Sequence, residues 1–438
     1  MAVPAEGKTA GSRKKTRSEE IQNAGTTAET GESDRMDYDY SKIKTVEKKF
    51  AGTFGSNAGD SRGVRFFAAP GRVNLIGEHI DYCGGSVFPA ALTLDTAAAV
   101  RKNGTRSTVR LAATTLEGVY EIDLEDLDGA KNLRWGNYQA GVIRELVNAG
   151  LEVGGFDMVF HPTVPIGSGL SSSASQEMVT ATAINALFGG SFTPVELALA
   201  GQRAENSFCG VNCGIMDQFV SAMGRKDNAI LLNCATLEYE YVPLDLGDNL
   251  LVLANTCKKH ALGASKYNER RREVTLGLAE MQAAEKARGI EVPRENLCDY
   301  SREELREYAP EIGDDTIRKR VLHVVSENIR VRDAVDVLRK GDLDAFGKLL
   351  YEANRSIRYL YEATGEELDA MFDAAISFEG TVGARMTGGG FGGCTVNIVR
   401  KDSVEEFERY VARKYTEATG NTPEFYVCSI GDGARELA

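Results

Sequence analysis

The sequence predicts an α+β protein built as two lobes. Three observations point there. Short apolar runs bounded by glycine and proline fill residues 64–124. Helical patterns then interleave with strand-like ones, and the half beyond about 245 is richer in helix. The chain has 438 residues, more than the roughly 100–200 of one ordinary domain.

Taken in order, residues 1–40 are rich in Lys, Glu, Gly, Ser and Thr and nearly free of apolar residues. Such a segment buries too little surface to offset its ordering entropy, so a disordered tail is expected. Met36 stands just before the first ordered-looking stretch and is a candidate alternative start. The first lobe is assigned to 41–245. Strands are expected at 64–68, 87–90, 109–113, 120–124, 156–161 and 238–242, with helices at 137–149, 172–188 and 194–207. The second lobe is assigned to 246–438. Here Ile317, Val321, Val324, Asn328, Val331, Val335 and Leu338 recur at alternating spacings of 4 and 3 along 314–340, which makes one helix face for core packing. Strands return near 381–387, 394–399 and 424–428.

Composition excludes several classes. The 42% hydrophobic and 26% charged content is that of a globular enzyme. A net charge of −13 argues against a nucleic-acid protein, which relies on a basic surface. Eight cysteines form no CxxC pair and lie near no histidine pair, so zinc is not expected and reduced thiols are. No apolar run reaches the ~20 residues of a membrane span, and the N-terminus has no apolar leader. A cytoplasmic protein, with no membrane or nucleic-acid partner, is expected.

Three segments carry chemistry. Residues 164–178 read Val-Pro-Ile-Gly-Ser-Gly-Leu-Ser-Ser-Ser-Ala-Ser-Gln-Glu-Met, between a strand and a helix pattern. Gly167 and Gly169 allow close backbone approach, and the serine run opens a helix whose free N–H groups favour an anion. The segment is neither a Walker A loop nor a dinucleotide fingerprint. Residues 386–393 read Met-Thr-Gly-Gly-Gly-Phe-Gly-Gly, too glycine-rich for a simple hairpin, and suggest backbone passing close to a ligand or another segment. Residues 69–85 crowd Arg72, Glu78, His79 and Asp81 into an otherwise apolar stretch. Charges in such a setting need partners, and two carboxylates with an imidazole suit vicinal hydroxyls.

Together these segments resemble the GHMP kinases. Pro-x-Gly-x-Gly-Leu-Ser-Ser-Ser-Ala at 165–174 is similar to that family's phosphate-binding motif. Gly-Arg-Val-Asn-Leu-Ile-Gly-Glu-His-x-Asp-Tyr at 71–82, Gly-Ile-Met-Asp-Gln at 214–218 and Ser-Lys-Tyr-Asn-Glu-Arg-Arg at 265–271 resemble its galactokinase branch. The likeness runs from about 46 to the C-terminus. It implies an active site between an N-terminal α/β lobe and a C-terminal α+β lobe, ATP and Mg²⁺ as cofactors, and an enzyme that phosphorylates galactose at its anomeric hydroxyl; a monomer is expected, though the sequence itself does not reveal the oligomeric state.

The resemblance also implies roles. Gly167, Ser168, Gly169, Leu170, Ser171, Ser172 and Ser173 would wrap the ATP phosphates. Ser173 and Glu205 would hold Mg²⁺. Glu78, His79, Ile80, Asp81, Gly214 and Tyr267 would form the sugar site, and Asp217 with Arg72 the catalytic pair. Phosphoryl transfer needs positioning and charge stabilisation, so Asp217 is expected to orient the hydroxyl with proton removal late or partial. Ile80 and Cys83 depart from the branch's usual Thr and Asn, and Gly389 from a frequent Ala. The alternatives are an N-acetylgalactosamine kinase, disfavoured by Tyr267, and a non-catalytic sugar sensor, disfavoured by the intact Ser173-Ala174 pair.

Overall fold

The computed structural model describes residues 38–55, 63–258 and 263–437. Met36 and nearly all of the segment expected to be a tail lie outside the described residues. A helix begins at Tyr40, within the last position assigned to that tail.

Strands β1 (Arg65–Asn74), β2 (Ser86–Val87), β3 (Pro89–Lys102), β4 (Thr108–Ala113), β5 (Tyr120–Asp123), β6 (Phe156–Pro162), β7 (Asn228–Asn233) and β8 (Tyr239–Pro243) build the first sheet. Its backbone order is β1-β3-β6-β4-β5, with β7 joining β3 to β2 and β8. Among the described strands, only β4 and β6 pair in parallel. The second sheet holds β9 (Asn249–Asn255), β10 (Thr381–Thr387), β11 (Cys394–Arg400) and β12 (Glu424–Cys428), in the antiparallel order β10-β11-β9-β12. A last strand, β13 (Arg435–Leu437), returns to the first sheet and pairs with β1.

The central strands are covered on both faces, so β1, β3, β9 and β11 are buried along most of their length, while the edge strands β5 and β8 are largely exposed. Ala99 of β3 packs with Val46 and Phe50 of the helix Tyr40–Phe54, while its neighbours Ala98 and Val100 face the main core. In β9, Val252 and Ala254 meet Phe407, Val411 and Tyr415 of the helix Val404–Thr419, and Leu251 and Leu253 face the main core. That main core takes residues from both sheets.

The helix Asp315–Arg339 buries every residue of the expected face, including Asn328. Asn328 is more than filler. Its Oδ1 accepts from Ser86 N at 2.8 Å and its Nδ2 donates to Cys298 O at 2.9 Å. One amide thus ties the short β2 strand to the turn Leu297–Asp299. Asn328→Leu leaves both backbone groups buried and unpaired, at roughly 1–3 kcal/mol each. Urea unfolding should show a loss of about 2–4 kcal/mol, and a loss below about 0.5 kcal/mol would contradict this role.

Candidate active site

A cavity of about 290 Å³ lies where the end of β1, the loop before the helix Ser172–Leu187 and the loop after β10 converge. Arg72, Glu78, His79, Asp81, Gly169, Glu205, Gly214, Asp217 and Tyr267 are among its lining residues, with Gly388 to Gly390.

Local backbone features aim these groups. The β1–β3 register slips between Pro70 and Arg72, and such a bulge re-aims the side chain that follows. Arg72 lies buried with its Nε and Nη2 each 2.8 Å from an oxygen of Asp217. Its Nη1 donates to Gly169 O. Asp217 opens the helix Met216–Met223, where the N-terminal dipole favours a carboxylate. It accepts a third hydrogen bond, from Ser171 Oγ at 2.5 Å. Its side chain keeps 28% exposure, toward the cavity.

The turn after β1 carries Glu78, His79 and Asp81. Glu78 is buried against Arg385, and its Oε1 accepts from Gly388 N at 3.2 Å. Burial pushes the Glu78 carboxyl up to about 7 against the pull of Arg385. His79 has a φ of 62°. Its Nδ1 lies 2.6 Å from Tyr82 Oη and its Nε2 3.2 Å from Gly389 O. A carbonyl can only accept, so Nε2 is assigned the proton and Nδ1 accepts from Tyr82. Burial keeps this ring neutral, with its pKa down at about 3. Asp81 is raised to about 6 by burial and then by the nearby Asp217 charge. Gly214 is needed for this carboxylate to fit, because a Cβ there would stand 1.9 Å from Asp81 Oδ2.

Glu205 starts a π-helical turn, Glu205–Cys209, and is raised to about 7, mainly by burial and then by Asp217. Gln218 Nε2 bridges Glu205 and Glu177 at 2.7 and 2.9 Å. Ser173 lies beside Glu205 in the first turn of its helix. A hydroxyl and a carboxylate are hard oxygen donors of the kind Mg²⁺ takes, and the crowding of Glu205 by Asp217 leaves negative charge for a cation to offset.

The glycine-rich segment lies directly against the Gly-Ser loop. A Cβ on Gly388 would be 2.6 Å from Gly169 O. Not every expected residue faces the cavity. Ile80 is fully buried in the core, and its carbonyl accepts from Cys83 N and Gly85 N. Leu170 is likewise a core side chain. The hydroxyl of Ser168 donates to Pro165 O and that of Ser171 to Asp217, so only their backbone remains for a phosphate. Three participants escaped the sequence reading: Arg385, Tyr82 and Tyr361, whose hydroxyl lies 2.8 Å from that of Tyr82. Tyr82 closes the motif at 71–82 without having been given a role, and Arg385 left a signal as a lone charge between Ala384 and Met386 in a buried strand.

Three family models match the chain in order. The GHMP kinases N terminal domain covers 137–225 and the GHMP kinases C terminal model covers 334–417. The galactokinase galactose-binding signature covers 48–102. A mevalonate kinase structure shares the fold, at TM-score 0.57 and 17% identity over 84% of this chain and 99% of its own. Fold and site therefore define a GHMP kinase. The galactokinase of Clostridium tetani is 45% identical over 90% of this chain and 98% of its own length, and that of Bacillus subtilis 42% over 90% and 99%. The crystal structure of Lactococcus lactis galactokinase complexed with galactose superposes at TM-score 0.86, with 40% identity over 90% of this chain and all of that one. The chain belongs to the galactokinase family.

Arg385 sets a test by pH. Between about 4.5 and 7 the folded state holds a proton on Glu78 that the unfolded state has released, so stability falls as pH rises through that window and levels above it. Without Arg385 the carboxyl titrates higher still and the fall continues. Arg385→Ala should cost about 3–5 kcal/mol near pH 8. The gap to the unaltered protein in denaturant titrations should widen from about pH 6 to about pH 8.5. A constant or narrowing gap would refute the pairing.

Proposed function

We propose that the chain transfers the γ-phosphoryl group of ATP to the anomeric hydroxyl of galactose, giving galactose 1-phosphate and ADP. The observation that carries this reading is the Arg72–Asp217 pair, held at the junction of the Gly-Ser loop and a cavity walled by Glu78, His79 and Asp81. Backbone N–H groups of Gly167 to Ser173, at the start of the helix Ser172–Leu187, cradle the phosphates. Ser173 and Glu205 would hold Mg²⁺, which would offset the charge of the phosphates.

Asp217 orients the sugar hydroxyl. Three donors from Arg72 and Ser171 hold its carboxylate in one pose, and a hydroxyl fixed in line is most of what phosphoryl transfer requires. Arg72 also places positive charge beside the transferred group. Glu78, Asp81 and Tyr267 select the sugar, with the Gly214 backbone beside Asp81. His79 shapes this wall, its tautomer set by Tyr82. An epimer leaves one of these buried groups unpaired, at roughly 1–3 kcal/mol. The eight cysteines are all unpaired, which supports a reducing, cytoplasmic setting.

A coupled ADP-release assay with Mg·ATP tests the reading. Galactose should turn over, while glucose and N-acetylgalactosamine should fall at least about tenfold behind in kcat/KM. Equal kcat/KM for galactose and N-acetylgalactosamine would select the rival kinase, and no turnover would select a sensor. Asp217→Ala should lower kcat by orders of magnitude while ATP still binds. Unchanged turnover would remove Asp217 from its role.

A further inference from the structure

A second cavity, of about 340 Å³, lies among the helices Arg302–Tyr308, Asp315–Arg339 and Leu343–Ser356. Its apolar lining comes from Leu305, Leu322 and Leu349. Arg302 and Arg306, four residues apart on one helix, and Arg330 line it too. The side chains of Arg302 and Arg306 make no ion pair among the described residues. Asp333 and Glu352 stand at the same cavity, and Glu352 reaches Arg330 only at 4.0 Å. Arg330 is held by the buried Glu327, so the charges balance, and what the pocket offers an anion is the two unengaged forks of Arg302 and Arg306. Guanidinium forks match the oxygens of a phosphate.

Arg330 connects this cavity to the active site. It pairs with the fully buried Glu327. Glu327 Oε1 accepts from Gly77 N at 3.1 Å and lies 3.9 Å from Arg385 Nη2. Arg385 pairs in turn with Glu78, which lines the first cavity. Four charges of alternating sign therefore run from one cavity to the other. Glu327, Arg385 and Glu78 are within 1% of complete burial, so solvent and salt screen their interactions little.

We propose that the cavity around Arg302, Arg306 and Arg330 binds a small phosphate-bearing ligand, and that its occupancy weakens sugar binding through Glu327, Arg385 and Glu78. A phosphate drawn to Arg330 competes with Glu327 for that guanidinium. Glu327 then draws on Arg385, its other cation, and Arg385 loosens from Glu78. The coupling is reciprocal, so bound sugar weakens the anion's hold. The inference rests on galactose being the ligand of the first cavity. Basal turnover tests that premise, and the response to phosphate tests this inference.

Inorganic phosphate is the probe, titrated at constant ionic strength with saturating Mg·ATP so that the nucleotide site is filled. The KM for galactose should rise about fivefold or more with kcat nearly unchanged. The double variant Arg302→Gln, Arg306→Gln keeps the basal constants, because neither side chain supports the fold through an ion pair, and loses the response. A KM that ignores phosphate, or one that rises equally in the double variant, overturns the proposal.

Discussion

The active site depends on two backbone segments approaching closer than any side chain allows. Gly388 and Gly393 of one loop lie against Gly169 and Ser168 of the other, with room for a hydrogen and not for a Cβ. Thr387 secures this contact, since its Oγ1 bonds both Asn74 N and Asn74 O at 3.0 Å. The ends of β1 and β10, from different sheets, are thereby stitched together. Arg72 is anchored to the same Gly-Ser loop through Leu170 O and Gly169 O. A shift of either sheet therefore moves the Gly-Ser loop, the Arg72–Asp217 pair and the Glu78 wall together.

The charges around that junction fall into two kinds. Asp217 faces the cavity and is held by donors from Arg72 and Ser171. Glu78, Asp81 and Glu205 are buried deeply enough to titrate near 6 to 7. Groups poised there change charge readily when a hydroxyl or a cation arrives, whereas an isolated carboxylate on the surface would be ionised throughout. His79 takes the opposite course. Burial holds it neutral, so one nitrogen accepts while the other donates.

Legibility in the sequence followed contiguity. The Gly-Ser loop, the Glu78-His79-x-Asp81 turn and the helix face from Ile317 to Leu338 are local patterns; spacing alone marked the helix face, and the family resemblance gave the other two their roles. The helix Tyr40–Phe54 is amphipathic enough to read, but its sequence lies beside polar tail residues that masked it. What escaped was the partner across the chain. Arg385 meets Leu75 O across 310 positions, and no period links them. The resemblance set Ser173 apart with Glu205 but gave the other serines one shared role. Only tertiary contacts could reveal that the hydroxyls of Ser168 and Ser171 are taken by Pro165 O and Asp217.

Ile80 shows why a motif's positions do not all act alike. It sits between two residues whose side chains line the cavity, yet its own side chain packs in the core. His79 at positive φ breaks the local direction of the chain, and the 3₁₀ turn Asp81–Cys83 restores it. The residue between them is turned away. Its hydrophobic burial holds the turn down, and Gly85 passes so close that a Cβ there would strike it. A polar residue at this position would need an interior partner, whereas isoleucine needs only packing. The departure at Ile80 therefore bears on the rigidity of the cavity wall that His79 and Asp81 line.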